Sequence, residues 1–171
     1  MLVSIEQLKS LEEIHLDENH LSGSIPSSIT NLSKLTYLAL QRNKIVGSIP
    51  IEIGLLQSLT TLYLDDNQLT GSIPMSTGNL TKLTHLGLSK NKLVGSIPNK
   101  IGQLKCLTSL YLLGNHPIGS VPVSIRQLKS LEEIDLDGNY LSGSILASIG
   151  NLTSLANFSL FTNNITGSLP P

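Results

Sequence analysis

LTKLTHLGLSKNKLVGSIP, residues 80–98, states the rule by which the whole chain is built. It places Leu at 80, 83, 86 and 88, Asn at 91, Leu at 93, Gly-Ser at 95–96 and Ile-Pro at 97–98. The same pattern starts at Leu8, Leu32, Leu56, Leu80, Leu104, Leu128 and Leu152, a 24-residue period without insertion or deletion. A fixed period in this range specifies a solenoid, because one repeat cannot bury its own apolar side and must stack on its neighbours to make a continuous core. The expected organisation is one array over residues 1–171, with residues 1–7 as the tail of a preceding repeat, since Ile5 precedes Leu8 as Ile29 precedes Leu32. Function then has to lie on a surface.

Composition narrows the possibilities. Net charge is −1, from 11 basic and 12 acidic residues, which gives no footprint for nucleic acid or an anionic membrane. Apolar runs are only a few residues long, far below the roughly 20 that cross a bilayer. The start, MLVSIEQLKSLEEI, lacks a basic segment followed by a sustained apolar stretch, so no secretory signal is expected there. Cys106 is the single cysteine, which excludes an internal disulfide and a Cys-based zinc site.

Within each repeat the LxLxxN segment alternates apolar and polar residues, as in Leu38-Ala39-Leu40 and Leu62-Tyr63-Leu64. This is the pattern of a half-buried strand, one per repeat, stacked in parallel. At about 4.8 Å between strands, seven rungs make a sheet roughly 30 Å wide. The period of two turns Ile14 and Leu16 inward and Glu13, His15 and Asp17 outward, with the same phase in every later copy. Asn19, Asn43, Asn67, Asn91, Asn115, Asn139 and Asn163 form a complete column at the turn after the strand. Such a column is expected to satisfy backbone groups left unpaired by the turn, on its own rung and on its neighbour's. Gly-Ser follows in every copy, and Pro stands at 26, 50, 74, 98, 122 and 170. Proline removes a donor and biases the preceding residue away from helix, so the return path is expected to be extended and turn-like, with a second narrow sheet and one short helical turn.

LxxLxxLxLxxNxLxGxIP at this spacing resembles the plant-specific leucine-rich repeat, and the resemblance runs from about Val3 to Pro171. It implies a leucine-rich-repeat solenoid of seven 24-residue rungs, with a parallel β-sheet on the concave face and extended, turn and short helical returns on the convex side. In that family such repeats form the ectodomains of receptor-like kinases and receptor-like proteins, and the secreted polygalacturonase inhibitors. All of these bind ligands on the curved inner or lateral surface, and none does chemistry with the repeats. Relative to full-length members, the paired cysteines of the N-terminal cap, the C-terminal cap, the transmembrane helix and the kinase motifs are absent. The chain is therefore expected to be an internal piece of an ectodomain on the extracellular side of the plasma membrane. Any kinase activity belongs to a parent receptor. Two departures are local: Pro117 replaces the Leu of the Leu93 column, and Leu146 replaces the proline. Residues 3–25 recur at 123–145 with 19 of 23 positions identical, which indicates a block duplication.

No catalytic constellation is present. His15, His20, His85 and His116 fall in different columns, and the many serines belong to the repeat template. His15 and His20 have no third ligand, so neither metal nor cofactor is expected. The outward strand columns are more informative. Ten of the twelve acidic residues lie in or beside them: Glu12, Glu13, Asp17, Glu18, Asp65, Asp66, Glu132, Glu133, Asp135 and Asp137. Tyr37, Tyr63, Tyr111 and Phe161 project from the same columns, with His85 and Leu113, and Arg42 and Lys90 are the main basic residues there. Aromatics beside charges on one presented face suit a recognition surface. The acidic cluster near Tyr111, Leu113 and Phe161 suits a basic peptide with an apolar anchor. The Arg-x-Arg pair with which peptide-binding members of the family often hold a ligand's C-terminal carboxylate is missing. Asn31, Asn79, Asn151, Asn157 and Asn164 each start an Asn-x-Ser/Thr sequon, an acceptor for N-glycans in the secretory pathway.

The expected function is non-catalytic recognition of a peptide or protein ligand, with a co-receptor as second partner, and with no nucleic-acid binding or membrane insertion by this segment. A secreted inhibitor of a wall-degrading enzyme and a fragment without independent function are the alternatives. The uncovered ends, Ile14 and Leu16 at one and Phe158 and Leu160 at the other, are expected to fray and associate.

Overall fold

The first five repeats turn at the same two places, one fixed by asparagine and one by proline, and the elements between them are short. The computed structural model describes residues 5–145 and 147–169, so residue 146, the expected proline-column departure, lies outside the described residues, as does Pro170. In chain order the strands are β1 (Glu13–His15), β2 (Ser22–Gly23), β3 (Tyr37–Ala39), β4 (Lys44–Ser48), β5 (Thr61–Tyr63), β6 (Gln68–Thr70) and β7 (His85–Gly87). They continue as β8 (Val94–Gly95), β9 (Ser109–Tyr111), β10 (His116–Gly119), β11 (Glu133–Asp135), β12 (Tyr140–Gly143), β13 (Asn157–Ser159) and β14 (Asn164–Ile165). The odd-numbered strands form one seven-stranded parallel sheet in the order β1-β3-β5-β7-β9-β11-β13. Residues exactly one period apart pair across it, as Leu62 does with Leu38 and Leu86, so no register slip separates one copy from the next.

The even-numbered strands make the narrow second layer, divided into β2-β4-β6 and β8-β10-β12-β14. Lys92 N–H donates to Leu69 O at 2.8 Å and Val94 N–H to Gly71 O at 2.9 Å, so the backbone stays connected across the division. After each second-layer strand from β2 to β12 the chain enters a single 3-10 turn, for instance Ile51–Leu55 after Pro50 and Asn99–Gln103 after Pro98. Each of these prolines has fixed φ near that of an extended chain, and its carbonyl accepts the first turn bond, as from Ile53 N–H at 3.0 Å. The expected return of extended segment, second sheet and short helical turn is observed.

The core is the stack of inward leucines. Leu38, Leu62, Leu86, Leu110 and Ile134 are essentially inaccessible, as are Leu64, Leu88, Leu112 and Leu136 two residues on. Burial of one such side chain stabilises by about 1.5–3 kcal/mol. Among the described residues β1 and β13 pair on one side only, and there Leu16 and Phe158 remain 37% and 36% exposed. Leu16 thus points inward without being covered.

The asparagine column holds the rungs together. Asn67 Nδ2 donates to Leu40 O of the preceding rung at 3.0 Å and to Leu64 O and Asp65 O of its own at 3.2 and 3.1 Å, while its Oδ1 accepts from Ile45 N–H at 3.0 Å. Asn43, Asn91 and Asn163 repeat the pattern, with Oδ1 taking Leu21, Leu69 and Leu141 N–H at 2.9 Å. Among the described residues Asn19 bonds the carbonyls of its own rung, Leu16 O and Asp17 O.

Pro117 breaks one link in this series. Position 117 should supply the N–H for Asn139 Oδ1, which proline lacks, and Asn115 N–H takes its place at 3.0 Å. Pro117 is buried inside β10, and the division of the second sheet falls between β6 and β8 instead. A neighbouring donor two residues away thus satisfies the acceptor, and the asparagine link between the fifth and sixth repeats is kept.

The ladder makes two stability tests. Asn91→Ala would leave Leu69 N–H and the Leu64 and Leu88 carbonyls without this buried partner, and is expected to cost roughly 2–4 kcal/mol in denaturant titration, against under about 0.5 kcal/mol for the exposed Asn19→Ala. Pro117→Leu is expected to raise Tm, because it restores both a donor for Asn139 and an aliphatic side chain in a buried column; an unchanged or lower Tm would count against that placement.

Candidate ligand-binding face

The outward side of the main sheet carries two columns of side chains, at the first and third residue of each strand. Large and small residues alternate between them. Tyr37 is followed in its strand by Ala39, Thr61 by Tyr63, His85 by Gly87 and Ser109 by Tyr111. Ala39, Thr61, Gly87 and Ser109 are buried although they face outward, because the large neighbours on adjacent strands lie over them. Tall residues consequently touch along a diagonal. The ring centroids of His15 and Tyr37 are 4.5 Å apart and stacked, those of Tyr37 and Tyr63 6.2 Å apart edge to face, and those of Tyr63 and His85 6.3 Å apart edge to face. Each distance lies in the range where aromatic pairs attract.

Below this diagonal runs a column of threonines. Thr36, Thr60, Thr84 and Thr108 donate their hydroxyls to Glu12 O, Thr36 O, Thr60 O and Thr84 O, at 3.0, 2.9, 2.8 and 2.9 Å. The Thr84 hydroxyl has a single proton and gives it to Thr60 O, so the 2.9 Å contact with His85 is a bond donated by His85 Nδ1–H, which fixes that imidazole.

Asp65 is a half-buried carboxylate of the face. Its Oδ1 accepts Ser89 N–H at 2.8 Å. Burial pushes its pKa above the ordinary aspartate value, with the neighbouring Asp66 adding to the rise and the Ser89 hydrogen bonds opposing it. Burial likewise raises the Tyr63 phenol, helped by Tyr37 and Asp65. Tyr111 is raised by burial and by donating its hydroxyl to Glu133 Oε2 at 2.6 Å.

The expected acidic cluster is present but internally engaged. Asp135 Oδ1 accepts Asp137 N–H at 3.0 Å, and Asp137 Oδ1 accepts Phe161 N–H at 2.6 Å and the Ser159 hydroxyl at 2.5 Å. Leu113 is half-buried beside them and Phe161 is 76% exposed. The predicted face thus divides into an aromatic part on β1–β9 and an acidic part on β11–β13.

Arg42, Asp66 and Lys90 occupy the turn column beyond the strands, where backbone φ is 56°, 51° and 52°. Glu18 and Thr162 share this left-handed conformation, and Gly114 and Gly138 fill the same column. Arg42 ion-pairs with Glu18, and His15 Nε2 lies 3.0 Å from Glu13 Oε2, an ion pair when the imidazole is protonated; these are the ion pairs among the described residues. Asn31, Asn79 and Asn151 are exposed at the ends of 3-10 turns, while Asn157 is exposed in β13 and Asn164 in β14. Among the described residues no group of three His, Cys, Asp or Glu is placed to hold a metal, and no helix is long and apolar enough to cross a membrane. Sequence inspection missed the part of His15 in the aromatic diagonal, the threonine ladder and the left-handed column. Each is visible when the chain is written in lines of one period.

The leucine-rich repeat region family matches residues 1–113, and a single leucine-rich repeat of the same kind matches residues 130–152. The chain belongs to the leucine-rich repeat family. Among curated proteins it is similar to the receptor kinase-like protein Xa21 of Oryza sativa subsp. japonica, 53% identical over 47 residues, which is 27% of this chain and 4% of that protein. Among solved structures, this leucine-rich repeat array superimposes on a TDR receptor with a TM-score of 0.96 at 34% identity, covering 97% of this chain and 29% of the other. It superimposes on the Arabidopsis receptor kinase HAESA, crystallised with the peptide hormone IDA and the co-receptor SERK1, with a TM-score of 0.94 at 36% identity, covering 97% and 28%. The chain spans a small fraction of Xa21 and under a third of either receptor chain.

Because Asp65 holds its proton more tightly in the fold than an unfolded aspartate does, the stability it contributes is present below about pH 4 and is lost as pH rises through its elevated folded pKa. Asp65→Asn, which keeps an acceptor for Ser89 N–H, is expected to raise Tm at neutral pH. The difference from the parent should close in melts below about pH 4.

Proposed function

We propose that this segment is a non-catalytic recognition module of a plant receptor-like kinase or receptor-like protein, acting by holding a peptide or protein ligand on the outward face of the main sheet. The observation that carries it is the continuous diagonal of His15, Tyr37, Tyr63 and His85 beside carboxylates that have few cationic partners. Desolvatable aromatics supply retention, and unpaired carboxylates steer a basic ligand. The crystallised relatives with peptide hormones and the SERK1 co-receptor support the same assignment of partners. In a parent receptor the array sits on the extracellular side of the plasma membrane. There the exposed Asn31, Asn79 and Asn151 serve as glycan acceptors on the returns, with Asn157 and Asn164 on the two sheets as further acceptors.

The protein is tested against an immobilised array of extended peptides graded from acidic to basic, with and without an apolar residue. Basic peptides with an apolar residue should be retained. Asp135→Asn with Asp137→Asn should slow association and flatten its salt dependence, whereas Phe161→Ala should speed dissociation. Retention of no peptide class, or indifference to charge and to all three substitutions, overturns the proposal.

A further inference from the structure

Gly87 is the one glycine in the outward columns of β1–β13, and it lies between two tyrosines, since it pairs with Tyr63 on β5 and with Tyr111 on β9. Two strand spacings put the Cα atoms of those tyrosines about 9–10 Å apart. A side chain at 87 has no room: its Cβ would stand 2.1 Å from Asp65 Oδ2 and 2.7 Å from Tyr63 Cδ1. The missing Cβ therefore lets the Asp65 carboxylate and the Tyr63 ring settle onto the sheet over Gly87, where Ser89 N–H holds the other carboxylate oxygen at 2.8 Å. His85, anchored through Thr84, stands two residues before Gly87 on the same face of the strand. Neither ion pair among the described residues involves Asp65. Lys90, the basic residue of the same repeat, is exposed in the turn column.

A recessed carboxylate without a cation, flanked by aromatic rings, has a specific chemical complement. We propose that Gly87, Asp65, Tyr63 and Tyr111 form a pocket for the guanidinium of an arginine side chain in an extended peptide. The planar cation meets the carboxylate oxygen over Gly87 and stacks against the tyrosine rings, an arrangement that a lysine ammonium cannot reproduce because it has neither a plane to stack nor a fork of donors. The burial that raises the Asp65 pKa acts in the same direction, because a desolvated carboxylate gains more from a cationic partner than one already in water. This inference rests on the recognition role proposed above, and it assigns the direct contact with the bound cation to Asp65, with Asp135 and Asp137 acting on the ligand's approach.

The chain contains Tyr37, Tyr63, Tyr111 and Tyr140 and no tryptophan, so tyrosine fluorescence reports on this face. The probes are blocked pentapeptides of one sequence with arginine, lysine, citrulline or leucine at the centre, titrated into the intact protein. Arginine should change the fluorescence saturably, lysine should bind about tenfold more weakly, and citrulline, which keeps the plane without the charge, should give no saturable response. Asp65→Asn preserves the shape and should abolish the preference for arginine over citrulline, while Tyr140→Phe, in the second sheet, should leave it intact. Gly87→Ala, checked for an unchanged fold by circular dichroism, should lose arginine binding by displacing Asp65 and Tyr63. Equal responses to arginine and citrulline, or an arginine preference that survives Asp65→Asn, overturns the pocket. If the peptide array retains basic peptides while the Asp65 and Gly87 variants bind them as the parent does, the pocket fails and the recognition role stands. If neither the array nor the arginine probe is bound, both fail.

Discussion

A buried asparagine that bonds backward to one repeat and sideways to its own turn is the constraint on which this structure depends. The strands are only three residues long, too short to stack in register by their own ladder bonds. Their side-chain amide supplies what the ladder lacks: Asn91 Nδ2 reaches Leu64 O at 3.0 Å in the repeat before, and Asn91 Oδ1 takes Leu69 N–H at 2.9 Å. Each amide saturates carbonyls and an N–H that are shut away from water, so removing it strands several groups at once. The threonine ladder performs a lesser version of this on the other side of the strand.

With the register fixed, the outward face becomes an array in which each residue's surroundings are set by the positions one period before and after it. That is why small residues there are buried and why large ones meet. Tyr63 can lean toward Gly87 only because the sheet places the glycine one strand away and one column position level with it. The recess that holds the Asp65 carboxylate arises in the same way, from a substitution on the next repeat and not from any change in its own.

The scaffold also tolerates local conflict. Five residues other than glycine hold the left-handed conformation at the turn after the strand, including the β-branched Thr162 at φ 53°. Glu18, Arg42, Asp66 and Lys90 each donate their N–H to a carbonyl of the next repeat, and Thr162 O accepts Asn139 N–H at 3.2 Å; these bonds offset a local cost of about 1–2 kcal/mol. Pro117 removes a donor from the ladder, and Asn115 N–H replaces it at 3.0 Å. A repeated architecture can absorb such changes because every link has near neighbours of the same chemistry.

The period, the inward leucines, the asparagine column, the outward columns and the proline-led return were all legible in the sequence, since each follows from alternation and spacing along one chain. Leu16 and Phe158 belong to the inward set on that basis, yet their exposure depends on a neighbouring strand being there to cover them. Periodicity likewise placed Tyr37, Tyr63, His85 and Tyr111 on one face as separate candidates. Only the tertiary structure decided that three of them join His15 in a diagonal, that Asp135 and Asp137 are already engaged, and that Asp65 is recessed above Gly87. The physical reason is that, apart from the local bond between Asp135 and Asp137 N–H, these contacts join residues 22 to 26 positions apart in the chain, whose distance is set by how one repeat seats on the next, while inward or outward direction is settled within three residues of a single strand.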